Sequence, residues 1–259
     1  MVMAEATNHY FKHLGVSDGL SQVCIPSIYQ DELGAVWLGT TEGLNRYNGK
    51  DVKVFQPSES NHGLTNNEIN ELCGDKNGRM YIRSGNDLIK LDIYTEQFTC
   101  LRQKGVYGLF CKKDTLWVSC ADGIYYYTGQ GTELTFFARV QKGFVGRALY
   151  VDKETVWVVT RKYLVAISRE DPLRQEILLT LDKGNCILGD SSGNIWVGAW
   201  NGLYRISPNR ETTAYVSHSG MGELSDNQVR CVLEDDFKHI WVGTFKGCLL
   251  YTSPSPRDA

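Results

Sequence analysis

Hydrophobic residues recur along this chain in short alternating runs, not at helical spacing. "VWLGT" (36–40) and "IWVGA" (195–199) are four or five β-favouring residues long, each is followed by a glycine-bearing turn, and "GLNRY" (43–47) and "GLYRI" (202–206) alternate again. A further apolar run lies upstream, with Ile28, Leu72, Cys111, Leu149, Ile187 or Val232 at its centre, and "KDVKVFQ" (50–56) and "EQFTCLR" (96–102) supply a fourth strand. The pattern repeats. Copies begin at Asp31, Asp75, Asp114, Asp152, Asp190 and Asp235, and their aromatic anchors are Trp37, Tyr81, Trp117, Trp157, Trp196 and Trp241, spaced 36 to 45 residues apart. Four short antiparallel strands every ~40 residues predict an all-β fold, a β-propeller of four-stranded blades. Six repeats are present, and a seven-bladed ring left incomplete is the expected architecture.

Each anchor has a mechanical reading. Asp31, Asp75 and Asp190 are expected to fold their carboxylates onto backbone N–H groups, and Gly34, Gly78 and Gly193 to take positive φ at the hairpin. The aromatic three residues after each glycine is expected to lie between blades. Asp114 and Asp152 lack that glycine, Arg161-Lys162-Tyr163 replaces a Gly-Leu turn, and Lys238 replaces the last hairpin glycine. Asn67 and Asn227 recur in the segments leading into inner strands, where they are expected to hydrogen-bond the turn and not a ligand. The acidic turns lack the D-x-D-x-D-G pattern of calcium loops, so no metal and no cofactor is expected.

Composition narrows the function. The chain has 259 residues, 27 Lys plus Arg against 30 Asp plus Glu and a net charge of −3, with no basic run longer than Lys112-Lys113, so nucleic-acid binding is not expected. No apolar stretch approaches the ~20 residues that span a bilayer. The eight cysteines are dispersed, without C-x-x-C pairs, and Cys186 and Cys231 fall at equivalent strand positions, where a buried core thiol is expected. Ala4-Glu5-Ala6 has the form of a signal cleavage site. Residues 1–7 are therefore expected to be disordered or the end of a signal peptide, 8–251 the propeller with an N-terminal closing strand, and 252–259 a non-native tail resembling translated adapter sequence.

The repeat D-x-x-G-x-(I/V)-W-(V/L)-G-T-x-x-G-L-x-R-(Y/I), seen at Asp31–Tyr47 and Asp190–Ile206, resembles the two-component regulator propeller repeat. The opening "HYFKHLGVSDGLSQ" is similar to the start of the sensor region in hybrid two-component systems of polysaccharide-foraging bacteria. The resemblance implies two seven-bladed propellers and an immunoglobulin-like domain outside the inner membrane, followed by a membrane helix, a histidine kinase, a receiver and a DNA-binding domain. It implies that this chain is most of the first propeller, periplasmic, non-catalytic by itself, and a sensor of a glycan or oligosaccharide, alone or as a homodimer. Sugar sites combine exposed aromatics with amides and arginines. Trp200, the one tryptophan outside the repeat, is the first ligand-binding choice, followed by Asn201, Arg83, Tyr107 and Arg147. Arg46 and Arg205 occupy equivalent repeat positions, which argues for a structural role. Two alternatives stay open: a propeller interaction scaffold, and a propeller glycosidase or lyase, although His9, His13, His62, His218 and His239 form no local catalytic pattern.

Overall fold

The computed structural model describes residues 13–57, 63–217 and 224–251. The first blade comprises β1 (Ser27–Gln30), β2 (Val36–Thr40), β3 (Gly43–Tyr47) and β4 (Val52–Phe55). The second comprises β5 (Ile69–Gly74), β6 (Arg79–Ser84), β7 (Asp87–Asp92) and β8 (Gln97–Arg102), and the third β9 (Val106–Lys112), β10 (Thr115–Cys120), β11 (Gly123–Tyr127) and β12 (Thr135–Ala138). The fourth holds β13 (Gly146–Val151), β14 (Thr155–Thr160), β15 (Tyr163–Ser168) and β16 (Gln175–Thr180), and the fifth β17 (Cys186–Gly189), β18 (Ile195–Ala199), β19 (Gly202–Ile206) and β20 (Thr212–Tyr215). The sixth has β21 (Val229–Glu234), β22 (Ile240–Thr244) and β23 (Gly247–Tyr251). Every blade is an antiparallel meander, with four strands in the first five and three described in the sixth. Inner strands pack in chain order, β1 on β5, β5 on β9, β9 on β13, β13 on β17 and β17 on β21. This is a six-bladed β-propeller. Of the expected closing strand only His13–Gly15 are described, and they form no strand; the rest of it and the tail lie outside the described residues.

The repeat aromatics hold neighbouring blades together. Trp37 packs with Ile69, Leu72, Met80 and Ile82 of the second blade, Tyr81 with Val106 and Leu116 of the third, and Trp117 with Leu149 and Val158 of the fourth. Trp157 packs with Ile195 and Val197 of the fifth blade, and Trp196 with Val229 and Ile240 of the sixth. An aromatic ring buries about 150–250 Å², a gross transfer gain of about 4–6 kcal/mol at ~25 cal/mol per Å². The sixth anchor differs: Trp241 is 38% exposed against 5% for Trp196, and Leu233 and Phe245 beside it are exposed. Ile28 of the first blade is also exposed, whereas its repeat equivalents Leu72 and Leu149 are buried. Among the described residues, no neighbouring blade covers these two faces as one covers the others.

The aspartates bond more than the turn. Asp31 Oδ1 accepts the Leu33 and Ala35 N–H groups while Oδ2 accepts the Trp37 indole N–H at 2.8 Å. Asp152, Asp190 and Asp235 repeat the indole bond to Trp157, Trp196 and Trp241 at 2.7–2.9 Å. In the second copy, where tyrosine replaces tryptophan, the Asp75 carboxylate takes the Arg79 guanidinium instead, at 2.5 Å. Asp114 departs from the pattern, standing only three residues before Trp117 in the tight turn between β9 and β10 and accepting from Asn77 Nδ2 at 2.8 Å. Gly34, Gly78 and Gly193 all have φ near +84°, and Lys238 takes φ +69° at the corresponding step without glycine's freedom. Arg46 and Arg205 lie 5.4 and 6.0 Å from the centroids of Trp37 and Trp196, the structural role their equivalence suggested. Asn227 Oδ1 accepts the Ser217 N–H at 2.5 Å, a bond back to the segment after β20 and not within the entry turn itself.

The cysteine expectation needs one correction. Loss of solvent pushes the Cys186 thiol up to about 12, but Cys231 at the equivalent step is exposed. Its strand belongs to the sixth blade, whose outer face has no neighbouring blade among the described residues to bury it.

Candidate functional site

In an antiparallel blade the start of the inner strand, the β-hairpin joining the second and third strands, and the connection to the next blade all fall at one end of the propeller. The inner strands are irregular there. Pairing slips by one residue between Ile69 and Glu71, between Val106 and Gly108, between Gly146 and Ala148, and between Val229 and Cys231. The residue left unpaired is Asn70, Tyr107, Arg147 or Arg230. A bulge re-aims the side chain it carries, so the second, third, fourth and sixth blades each present one such side chain at this end.

Tyr107 and Arg147 use theirs to line one cavity of about 710 Å³, together with Phe144, Arg161, Lys162 and Lys183. That size falls within the range of small-molecule sites. Backbone bonds fix its far wall: Leu181 N–H donates to Lys162 O at 2.6 Å and Gly184 N–H to Arg161 O at 3.1 Å, clamping the 161–162 hairpin to the connection between the fourth and fifth blades. Gly184 permits that approach, since a Cβ there would stand 2.3 Å from Thr160 O. Trp200 N–H donates to Asp182 O at 2.8 Å, which brings the 200–201 turn against the same connection. The Lys183 ammonium then rests 3.5 Å from the Trp200 ring centroid, with the Arg230 guanidinium 5.5 Å from it.

The structure therefore brings together Tyr107 and Arg147 in one cavity and sets Trp200, which does not line it, against Lys183 of its wall. Asn201 is committed to the turn, accepting the Asp182 N–H at 3.0 Å and donating to Tyr204 Oη at 2.7 Å. Arg83 is likewise engaged, donating to Glu71 Oε2 and Gly85 O, each at 3.3 Å. Desolvation pushes the Glu71 carboxyl up to about 7, against the opposing pull of Arg83. Arg161, Lys162, Lys183 and Arg230 were not among the sequence-derived choices. The signal for two of them was present in the replacement of the Gly-Leu turn by Arg161-Lys162-Tyr163, a departure that looked like loop variation.

Among the described residues no group of three or more His, Cys, Asp or Glu could hold a metal ion. No helix among them is long and apolar enough to cross a membrane.

Residues 223–246, spanning the first two strands of the sixth blade, match the family model described as the two component regulator propeller. One repeat of this chain thus matches the two-component regulator propeller family. A 53-residue stretch is 40% identical to histidine kinase P4 of Formosa agariphila, covering 20% of this chain and 4% of that protein. Among solved structures, the extracellular domain of a putative hybrid two-component system from B. thetaiotaomicron superposes with a TM-score of 0.71 at 21% identity, covering 92% of this chain and 41% of that one. The chain thus spans well under half of either relative. Virginiamycin B lyase from Staphylococcus aureus shares the fold, with a TM-score of 0.69 at 12% identity over 89% of this chain and 82% of that one. Likeness at these identities concerns the fold. The described residues of the regulator propeller are blades only, with no kinase domain among them.

Proposed function

We propose that this regulator propeller is part of the periplasmic sensing region of a hybrid two-component signalling protein anchored in the inner membrane, and that it responds to a glycan fragment. The response would regulate polysaccharide-use genes through a kinase elsewhere in the parent chain. The observation carrying this reading is the cavity where the bulged residues Tyr107 and Arg147 converge, at the end of the propeller that also presents Trp200. An aromatic ring offers a face to a sugar, and an arginine fork reads oxygen pairs. The uncovered faces of Trp241 and Ile28 suit a further blade between them, supplied by chain outside the described residues.

The test is binding of the 259-residue chain to an array of short oligosaccharides, followed by titration calorimetry on those retained and mass determination with and without them. The reading expects saturable binding of at least one oligosaccharide, by a monomer or a homodimer. Retention of none would refute it.

A further inference from the structure

The cavity lined by Tyr107 and Arg147 is unusual in its charge. The whole chain has a net charge of −3, yet Arg147, Arg161, Lys162 and Lys183 share this wall, and Arg230 stands beside it over Trp200. The one acidic residue of the lining is Asp182. Elsewhere several basic side chains find carboxylates, Arg46 and Lys53 with Glu96, Arg79 with Asp75, Arg102 with Asp122, and Arg210 with Glu176, and others bond carbonyls, as Lys76, Lys112 and Arg169 do. None of the five around the cavity forms an ion pair among the described residues. Crowding like charges without counter-charges costs folding stability: Arg230 stands over the Trp200 and Phe245 rings, but Arg147, Arg161 and Lys162 are exposed, and among the described residues their side chains make no ion pair, carbonyl bond or ring contact.

From this we infer that the cavity selects anionic saccharides, those bearing carboxylate or sulfate groups, over neutral ones. The inference rests on the glycan-sensing reading above and narrows it. Arginine forks match the paired oxygens of a carboxylate or sulfate, and charge-assisted bonds of this kind are about twice as strong as neutral ones. Tyr107 and Phe144 supply the apolar surface that a sugar ring covers. Trp200 is held back by Lys183, so its role is to orient that ammonium, and it offers a ring face only when the ammonium turns to an incoming anion. The basic ring also sets a direction of approach, because a cleft of one charge draws opposite charge from solution.

The experiment titrates the full chain with three probes of equal length: an unsulfated oligogalacturonate, a sulfated carrageenan oligosaccharide free of carboxylates, and neutral cellotetraose, at 50 and 300 mM NaCl. Binding of one or both acidic probes at least tenfold tighter than cellotetraose, and weakening at high salt, is the expected result. Preference between the two acidic probes tells carboxylate from sulfate. Arg147→Gln and Lys183→Gln should each weaken the acidic probe about tenfold, with an unchanged far-ultraviolet circular-dichroism spectrum at the assay temperature excluding misfolding. Cellotetraose bound as tightly, or acidic binding that ignores both variants, overturns the anionic inference and leaves glycan sensing standing. No binding by any saccharide here or on the array overturns both.

Discussion

The Lys183 ammonium lies 3.5 Å from the centroid of the Trp200 ring, joining the connection between the fourth and fifth blades to a turn of the fifth. Partly desolvated cation–π contacts contribute about 0.5–2 kcal/mol. A double-mutant cycle with Lys183→Ala and Trp200→Ala in denaturant unfolding should return a coupling of about 1 kcal/mol. Additive effects of the two substitutions would mean that the side chains are neighbours without a stabilising contact.

Blade contacts predict a gradient among the repeat tryptophans. Trp196 is covered by the sixth blade while Trp241 keeps 38% of its surface. Removing a buried aromatic typically costs about 3–5 kcal/mol. Trp196→Ala should therefore fall in that range, and Trp241→Ala should cost roughly half as much. Equal losses in melting temperature would show that Trp241 is covered in solution.

Glu71 predicts an unusual pH dependence. Loss of solvent pushes its carboxyl up to about 7 in the folded protein, above the ordinary carboxylate range, so between pH ~4.5 and ~7 the folded chain holds a proton that the unfolded chain releases. Stability from this group is highest below that window and falls as pH rises through it. Relative to Glu71→Gln, the native protein should lose about 1–3 kcal/mol of unfolding free energy between pH 4.5 and 7.5. A difference that is flat with pH, or that grows with it, contradicts this assignment.

Much of the fold was legible because the repeat is enforced by local chemistry. The Asp-x-x-Gly turn and the tryptophan that follows are contiguous in sequence, and both behave as their residue types require. The indole-to-carboxylate bond of Asp31 and Trp37 was hidden, because it depends on how far the chain turns between them, and Asp114, too close to Trp117, lacks it. The site was less legible for the same reason. Tyr107 and Arg147 are separated by a whole blade and meet through matching bulges, which leave no local composition signal. Asn201 and Arg83 looked equally suited by type, yet turn bonds and Glu71 occupy them. Lys183 and Arg230 are brought to Trp200 only by the stacking of successive blades.

The central claim is that function resides at the bulged end of the propeller. Hydrogen–deuterium exchange of the chain, with and without an oligosaccharide retained on the array, tests it most directly. Slowed exchange at 105–108, 143–148, 160–162 and 181–185 is the predicted result. Protection confined to the opposite end, at the turns of Asp31, Asp75 and Asp190, would contradict it.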